Sequence, residues 1–201
     1  MTRRRTYGDA GQAFPIYITA MGGLLFLALA YFAVGQATVN RSGAQTAADA
    51  AALAAAQDTR DQLAGEWTRD VLDPTKWPDI FTGDVQGLRL SCGRASELAE
   101  RNYAQVVPGG CTPGVLSYTV VVETDKTMGE SVVPITATTR SKAHATAVIK
   151  ALCSYKPLAA NAEPDALPLL TCGDREWNLD PKDPASLPEP QDLFDVHLVD
   201  R

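Results

Sequence analysis

The chain has 201 residues, a formal net charge of −6 and a sequence pI near 4.9. This acidic balance argues against nucleic acid as a partner, and against a protein surface that clings to anionic lipid. The length is sufficient for one modest domain with its own hydrophobic core.

The N-terminal region has the pattern of a membrane anchor. A basic segment, residues 1–13, contains Arg3, Arg4 and Arg5, and no charged side chain follows from Ala10 to Asn40. The apolar core of this uncharged stretch, residues 14–39, is longer than the roughly 20 residues that a helix needs to cross a bilayer. The positive flank predicts a cytoplasmic N-terminus, with everything after Asn40 outside. We therefore expect a single-pass protein of the cell membrane, with membrane lipid around its helix.

A cleaved secretory signal is the alternative interpretation of the same segment. Such signals combine a basic start with an apolar run of 7–15 residues and a small-residue cleavage site. Here the apolar run is longer, and alanine continues as helix after it. Ala33 and Ala37 form a small-xxx-small pair, which would allow a second helix to approach closely in the membrane.

Residues 40–70 predict a continuation of this helix into water, because alanine has the highest helix propensity and is nearly continuous there. An unbroken helix from Phe14 to about Thr68 would be on the order of 80 Å long. Such an alanine surface packs along another helix or under the chain's own domain. The residues that we predict to pack in this way are Ala33, Ala37, Ala44, Ala48, Asp49, Ala51 and Ala55. Asp49 has two interpretations, a solvated side chain or an inter-helix contact with Arg41 or Arg60 of a neighbouring subunit.

The segment after the apolar stretch carries a recognisable motif. Arg41 and Gln45 precede the run Ala47-Ala48-Asp49-Ala50-Ala51-Ala52-Leu53-Ala54-Ala55-Ala56. This arrangement resembles the TadE/TadG-like group of the Flp (tight-adherence, Tad) pilus machinery over roughly Gly11 to Gln57. The resemblance implies a pilus assembly component that packs against other pilus or envelope proteins, or against copies of itself.

The resemblance also raises the question of N-terminal processing. Processed pilins of this system carry a glycine, then a glutamate five residues later, and usually a tyrosine next. With Gly11 as that glycine, Tyr17 falls on the tyrosine position, but Ile16 replaces the glutamate. The departure resembles the TadG-like branch, which keeps its N-terminal segment, so cleavage after Gly11 is not expected.

Residues 71–177 predict an extracytoplasmic domain held by disulfides. All four cysteines, Cys92, Cys111, Cys153 and Cys172, lie on the outer side, where an even number indicates two disulfides. We favour Cys92–Cys111 and Cys153–Cys172, because each closes a loop with proline or glycine near its second cysteine. A bond from Cys92 to Cys153 or to Cys172 is the alternative.

The same region predicts an α+β fold with a short antiparallel sheet. Arg94–Val106 has helical spacing, and Gly114–Thr124 is β-branched and partly alternating. Further strands are expected at Ile135–Thr139 and Ala143–Val148. Trp67 and Trp77 are predicted core anchors where the long helix meets the domain.

The C-terminal residues 178–201 form an acidic, proline-rich tail in sequence. We interpret Asn178–Gln191 as an extended arm. The apolar residues Leu193, Phe194, Val196 and Leu198 are candidates for docking the end of the chain on the domain or on a partner.

The sequence offers little for catalysis. It lacks the G-x-S-x-G, H-E-x-x-H, phosphate-loop and G-x-G-x-x-G motifs. Neither His144 nor His197 has a cysteine nearby in sequence, and no C-x-x-C is present. We expect no enzymatic activity, no cofactor and no metal. The sequence favours a membrane-anchored structural or assembly component, with a membrane-tethered binding module unrelated to a filament as the alternative.

Overall fold

One helix dominates the molecule. The structure is a computed structural model that describes residues 13–127, 139–158, 166–180, 183 and 186–199. Helix α1, Ala13–Arg69, runs for 57 residues without a break. At 1.5 Å per residue it is about 85 Å long. The predicted continuation of the apolar helix to about Thr68 is therefore confirmed.

The remaining elements form a folded domain on the C-terminal half of α1. We use the name folded domain for the described residues from Asn40 to Val199. Its elements are the helices α2 (Trp77–Thr82), α3 (Cys92–Arg101) and α4 (Pro190–Leu193), and the strands β1 (Ala104–Gly114), β2 (Ser117–Thr127), β3 (Arg140–Ala151), β4 (Cys153–Tyr155), β5 (Leu170–Cys172), β6 (Arg175–Trp177) and β7 (Phe194–Leu198). The predicted α+β class with an antiparallel sheet is confirmed.

The main sheet has the order β1-β2-β3-β7, with every neighbouring pair antiparallel. Along β2 and β3 alternate side chains are buried against α1, and the buried set is Tyr118, Val120, Val122, Ala145, Ala147 and Ile149. On the opposite face the hydroxyls of Thr119 and Thr146 hydrogen-bond at 2.8 Å. One apolar and one polar face are typical of an antiparallel sheet covered on a single side.

The alanine face of α1 is covered by this domain. Seven alanines have no exposed surface: Ala44, Ala47, Ala48, Ala51, Ala52, Ala55 and Ala56. They recur every three or four residues, so they form one face of the helix. Strands β2 and β3 and helix α3 pack on that face. Of the two packing partners considered for this helix, its own domain is the one observed.

The strands run along the helix axis, which fixes the two ends of the domain. At one end the hydroxyl of Thr59 donates to the hydroxyl of Tyr118 at 2.9 Å. At the other end Asn40 Nδ2 donates to the carbonyl oxygen of Thr127 at 3.4 Å. The end of β2 therefore lies beside Asn40, where the apolar segment of α1 stops. We call this the basal end of the domain, and the opposite one the distal end.

The predicted helix Arg94–Val106 is longer than the observed α3, which ends at Arg101. Tyr103 has φ 57°, so the chain leaves the helix through a left-handed turn. Strand β1 then begins at Ala104 and includes the Pro-Gly-Gly segment as a bulge between Val106 and Cys111. A Cβ on Gly110 would lie 2.8 Å from the carbonyl oxygen of Val121, so this bulge requires glycine. The predicted strand Gly114–Thr124 corresponds to β2, shifted to 117–127, and Ala143–Val148 lies within β3; residues 135–138 lie outside the described residues.

The C-terminal residues are part of the domain and do not form an arm in the described residues 186–199. Strand β7 pairs with β3, from Phe194 opposite Ala151 to Leu198 opposite Ala147. Leu193 and Phe194 have no exposed surface. The interpretation of Asn178–Gln191 as an extended arm is wrong for residues 186–191, because the last of them begin α4 and lead into a core strand. The alternative, docking of the chain end on the domain, is what occurs.

Two disulfides join neighbouring segments of the domain. Cys92 at the start of α3 is bonded to Cys111 in β1, and Cys153 in β4 to Cys172 in β5. This is the pairing that the sequence favours. Both bonds span 19 positions, so they restrict the unfolded chain by similar amounts.

Replacing both cysteines of one pair with alanine is a direct test of this restriction. For a loop of this length we expect Cys92→Ala with Cys111→Ala to lower the free energy of unfolding by about 3 kcal/mol. Cys153→Ala with Cys172→Ala is the matched comparison, since its loop length is equal. Denaturant unfolding of the purified chain measures both. A loss below about 1 kcal/mol in both variants would contradict the prediction.

Candidate membrane and assembly site

The N-terminal half of α1 is a bare apolar helix. Its most apolar window has a mean hydropathy of 2.0 and no part buried in the protein. Fourteen large apolar side chains between Phe14 and Val39 are exposed, among them Tyr31 at 83%. A core helix of a water-soluble protein would be covered, so this helix is long, apolar and uncovered enough to span a membrane.

The two threonine hydroxyls inside this segment are bonded within the helix itself. Thr19 Oγ1 donates to the carbonyl oxygens of Pro15 and Ile16, at 3.0 and 2.9 Å. Thr38 Oγ1 donates to the carbonyl oxygen of Val34 at 3.0 Å. An apolar solvent offers these groups no partner, so internal bonding is what a membrane helix requires.

The structure divides the predicted helix-packing residues into two groups. Ala44, Ala48, Ala51 and Ala55 are buried in the folded domain, so they do not face a second molecule. This corrects the idea that the alanine run packs against neighbouring subunits. Ala33 lies in the bare half of the helix, and the side chain of Ala37 lies outside the described residues.

Asp49 is half-buried on the edge of the alanine face. Gln45 Nε2 donates to its Oδ1 at 2.6 Å, one helical turn away. The same amide lies 3.4 Å from the carbonyl oxygen of His144 in β3. These contacts join the motif's glutamine and aspartate to the edge of the chain's own sheet. The proposed pairing of Asp49 with an arginine of another subunit is not tested by them.

The residues considered for N-terminal processing lie at the start of the helix. Ile16 and Tyr17 are 67% and 70% exposed in its first turns. Gly11 lies outside the described residues. An isoleucine side chain provides no charge at the position where the processed pilins have a carboxylate.

Shifted pKa values occur at the distal end of the domain, away from the bare helix. A hydrogen bond from the Thr75 hydroxyl lowers the pKa of Asp73, and the carboxylate of Asp70 raises the pKa of Lys76. Burial against the aromatic rings raises the pKa of Tyr155. Among the described residues no group of three His, Cys, Asp or Glu side chains is arranged to hold a metal ion.

The fold and its bare helix define a class of protein, a folded disulfide-bonded domain on a candidate membrane-spanning helix. Residues 11–58 match the Tad family model, described as Flp pilus-assembly TadE/G-like. The match covers 48 of the 201 residues, and it confirms the resemblance seen in the Arg41–Ala56 motif. No curated protein and no solved structure matches the chain.

The family match and the structure relate to different parts of the chain. The matched segment contains the bare apolar helix and the alanine face, and it ends near Asp58. The disulfides and the strands lie beyond it. The spacing of three and four residues in the alanine run indicates one buried face, but it left open whether a second helix or the chain's own domain covers that face.

Proposed function

We propose that this chain is a non-enzymatic, membrane-anchored component of a Flp-type pilus or a related envelope apparatus, with a pilin-like minor subunit as its specific role. The main observation behind this proposal is one uninterrupted helix whose two halves have different surroundings. Its first half is apolar and bare, and its second half is the core of a folded domain. The family match supports the general connection to Flp pilus assembly.

Because α1 is one continuous helix, its apolar segment and the folded domain keep a fixed orientation relative to each other. A flexible linker would let the domain move independently of the membrane segment. Here the helix enters the domain without a break at Asn40 and is fixed by the buried alanines from Ala44 onwards. Any partner that packs on the membrane segment thereby sets the orientation of the domain outside. Pilin-like subunits have the same general plan, and that likeness is an analogy of architecture.

The proposed topology places the N-terminus in the cytoplasm and the domain outside. The three arginines before the apolar segment support the first part. The two disulfides support the second, because such bonds form and persist in oxidising compartments.

Contacts between molecules are proposed to use the face of the bare helix that carries two small residues, Gly22 and Ala33. Gly22 and Ala33 are 11 positions apart, so they lie within about 20° of each other around the helix. The glycine has no atom of the folded domain within 4 Å of a built Cβ. A neighbouring helix can approach closely at these two small residues, while Phe26 and Leu29, which lie between them on the same face, would pack against it.

Enlarging this face tests the proposal. We expect Gly22→Leu with Ala33→Leu to reduce pilus assembly at least tenfold, because each leucine holds a neighbouring helix away. The matched control is Ala28→Leu with Gly35→Leu, which makes the same chemical changes more than about 120° away around the helix. Filaments sheared from the cells are measured by mass per cell. Equal filament yields from the two double variants would contradict the helix-packing mechanism.

The broader role is tested by deletion and by location. A strain without this chain should lose sheared filaments and regain them on complementation. The intact mass of the chain in the membrane and filament fractions reports its N-terminal state. Full-length chain in membranes indicates an assembly component, and chain shortened after Gly11 in filaments indicates a subunit. Normal filaments in the deletion strain would overturn the proposed function.

One observation favours the rival function, a tethered binding module. An apolar groove of about 430 Å³ opens at the distal end, lined by Pro74, Thr75, Pro78, Tyr155, Pro157, Leu158 and Pro168. Proline and tyrosine linings are typical of surfaces that take an apolar ligand. A deletion strain that keeps its filaments but loses capture of such a ligand would favour this role.

A further inference from the structure

The basal end of the folded domain lies at the level where α1 leaves its apolar segment. Val39 is the last residue of that segment, and the next residue, Asn40, reaches the carbonyl oxygen of Thr127. Thr127 pairs in turn with Arg140 at the start of β3. With residues 14–39 in a bilayer, the basal end touches the polar surface of that bilayer.

Cations collect at this end against the charge of the rest of the molecule. Beyond Asn40 the chain has 15 basic residues (18 less Arg3, Arg4 and Arg5) and 23 acidic residues (24 less Asp9), which gives a net charge of −8. The basal end nevertheless carries four exposed cations, Arg41, Lys126, Arg140 and Lys142, against two carboxylates in the described residues there, Glu123 and Asp125. The expectation that the protein surface avoids anionic lipid follows from its net negative charge, and it does not hold for the local charge at the basal end.

Three of these four cations have no carboxylate partner in the part of the chain that the structure describes. Among the described residues no ion pair within 4.0 Å involves Arg41, Lys126 or Arg140. Lys142 lies 4.0 Å from Glu123, the limit of an ion-pair contact. An exposed cation that forms no ion pair within the protein can interact with an external anion.

Two of the cations line a cleft between α1 and the edge of β3. The cleft has a volume of about 420 Å³ and is lined by Thr38, Arg41, Ser42, Gln45, Lys142, Ala143 and His144. Arg41 comes from the helix and Lys142 from the strand, so an anion between them would contact both elements. Guanidinium, ammonium and hydroxyl donors are the groups that bind phosphate oxygens.

We propose that the basal end is a binding surface for anionic phospholipids of the leaflet from which α1 emerges, with a headgroup phosphate in the cleft between Arg41 and Lys142. The proposal rests on the membrane span in the proposed function. Its consequence is mechanical, because a lipid contact beside the helix exit fixes the height and tilt of the whole domain. Only Arg41 is close to the apolar segment in sequence. The other cations reach the basal end through folding, so they do not change the excess of positive charge on the N-terminal flank that predicts the orientation of the span.

The test uses the full-length chain in nanodiscs or mild detergent with equal amounts of phosphatidylglycerol and phosphatidylcholine. Native mass spectrometry counts the lipids that the protein retains. We expect the wild-type chain to retain phosphatidylglycerol preferentially. Removing two cations with Arg41→Gln and Lys142→Gln should weaken that retention about 30-fold. The charge-preserving pair Arg41→Lys and Lys142→Arg should restore most of it.

A matched control separates this surface from net charge. Lys150→Gln with Lys156→Gln makes the same change in net charge at exposed positions of β3 and after β4, towards the distal end. It should leave phosphatidylglycerol retention within about twofold of wild type. Equal losses in the two double variants, or equal retention of the two lipids by the wild-type chain, would overturn the proposal.

Other outcomes identify the ligand and separate this proposal from the proposed function. Inorganic phosphate at 10-fold excess over lipid should not displace phosphatidylglycerol, and complete displacement would show a site for free phosphate instead. A mass that lacks residues 1–39 would remove the span and the proposal together. If the wild-type chain shows no lipid preference while deletion of the chain abolishes pili, this proposal alone is wrong. If the wild-type chain prefers phosphatidylglycerol while deletion leaves pili normal, only the proposed function is wrong.

Discussion

Replacing Ala48 and Ala51 together with phenylalanine is expected to unfold the folded domain, and not merely to weaken contacts between subunits. Both side chains have no exposed surface and face the sheet. Each phenylalanine would force a ring into a closely packed layer, at a cost of about 2 kcal/mol per site. The double variant should therefore lose about 4 kcal/mol, a large part of the stability of a domain of this size.

A matched control lies one residue away from one of these positions. Ala50 is half-buried and borders the open groove between α1 and α3, whose volume of about 420 Å³ can hold a ring. We expect Ala50→Phe to change the free energy of unfolding by less than about 1 kcal/mol. All three positions have the same helix propensity before and after substitution, so the comparison isolates packing against the sheet.

Tryptophan fluorescence measures this prediction in the full-length chain. Trp67 and Trp77 have no exposed surface and lie 5.6 Å apart between ring centroids. Their emission therefore reports the folded state of the domain and not of the apolar helix. A double variant with wild-type emission and an unchanged unfolding midpoint would contradict the buried role of the alanine face. It would favour the alternative, in which these residues contact a neighbouring molecule.

The sequence predicted the elements whose determinants are local. Continuous alanine and an unbroken apolar run specify a helix wherever they occur, so α1 was predicted within two residues of its ends. The disulfide pairing also followed from local spacing. The partner of the alanine face did not, because a methyl group packs equally well against a second helix or a strand. Only the alternating residues of β2 and β3, such as Val120 and Ala147, decide between these partners, and they lie far along the chain.

Proline and glycine gave misleading signals in two places. Pro108-Gly109-Gly110 follows the predicted helix Arg94–Val106 in the pattern of a helix terminator, yet it lies inside β1 as a bulge, because the bulge needs a residue without a side chain at Gly110. The many prolines after Asn178 suggested an arm. The residues that follow these prolines, Phe194, Val196 and Leu198, nevertheless alternate with polar residues, which is the ordinary pattern of a strand.

Phe194→Ala is the sharpest test of that C-terminal strand. The side chain has no exposed surface, and its ring lies 5.7 Å from the ring of Phe81 between centroids. Removing a buried phenylalanine ring leaves a cavity and costs about 3–5 kcal/mol. For a domain of this size we expect Tm to fall by roughly 10–20 °C.

The control for this substitution is Val199→Ala, which follows directly after β7. Val199 is 48% exposed, and its amide nitrogen donates to the carbonyl oxygen of Thr146, a bond that alanine keeps. We expect this variant to shift Tm by less than about 3 °C. Thermal unfolding followed by tryptophan emission suits both variants. If Phe194→Ala melted with the control, β7 would be a peripheral addition, and the domain would end at the small sheet of β4, β5 and β6. If it melts far below the control, the sheet needs its fourth strand. The acidic end of the chain is then a structural element that the folded domain on α1 needs for its stability.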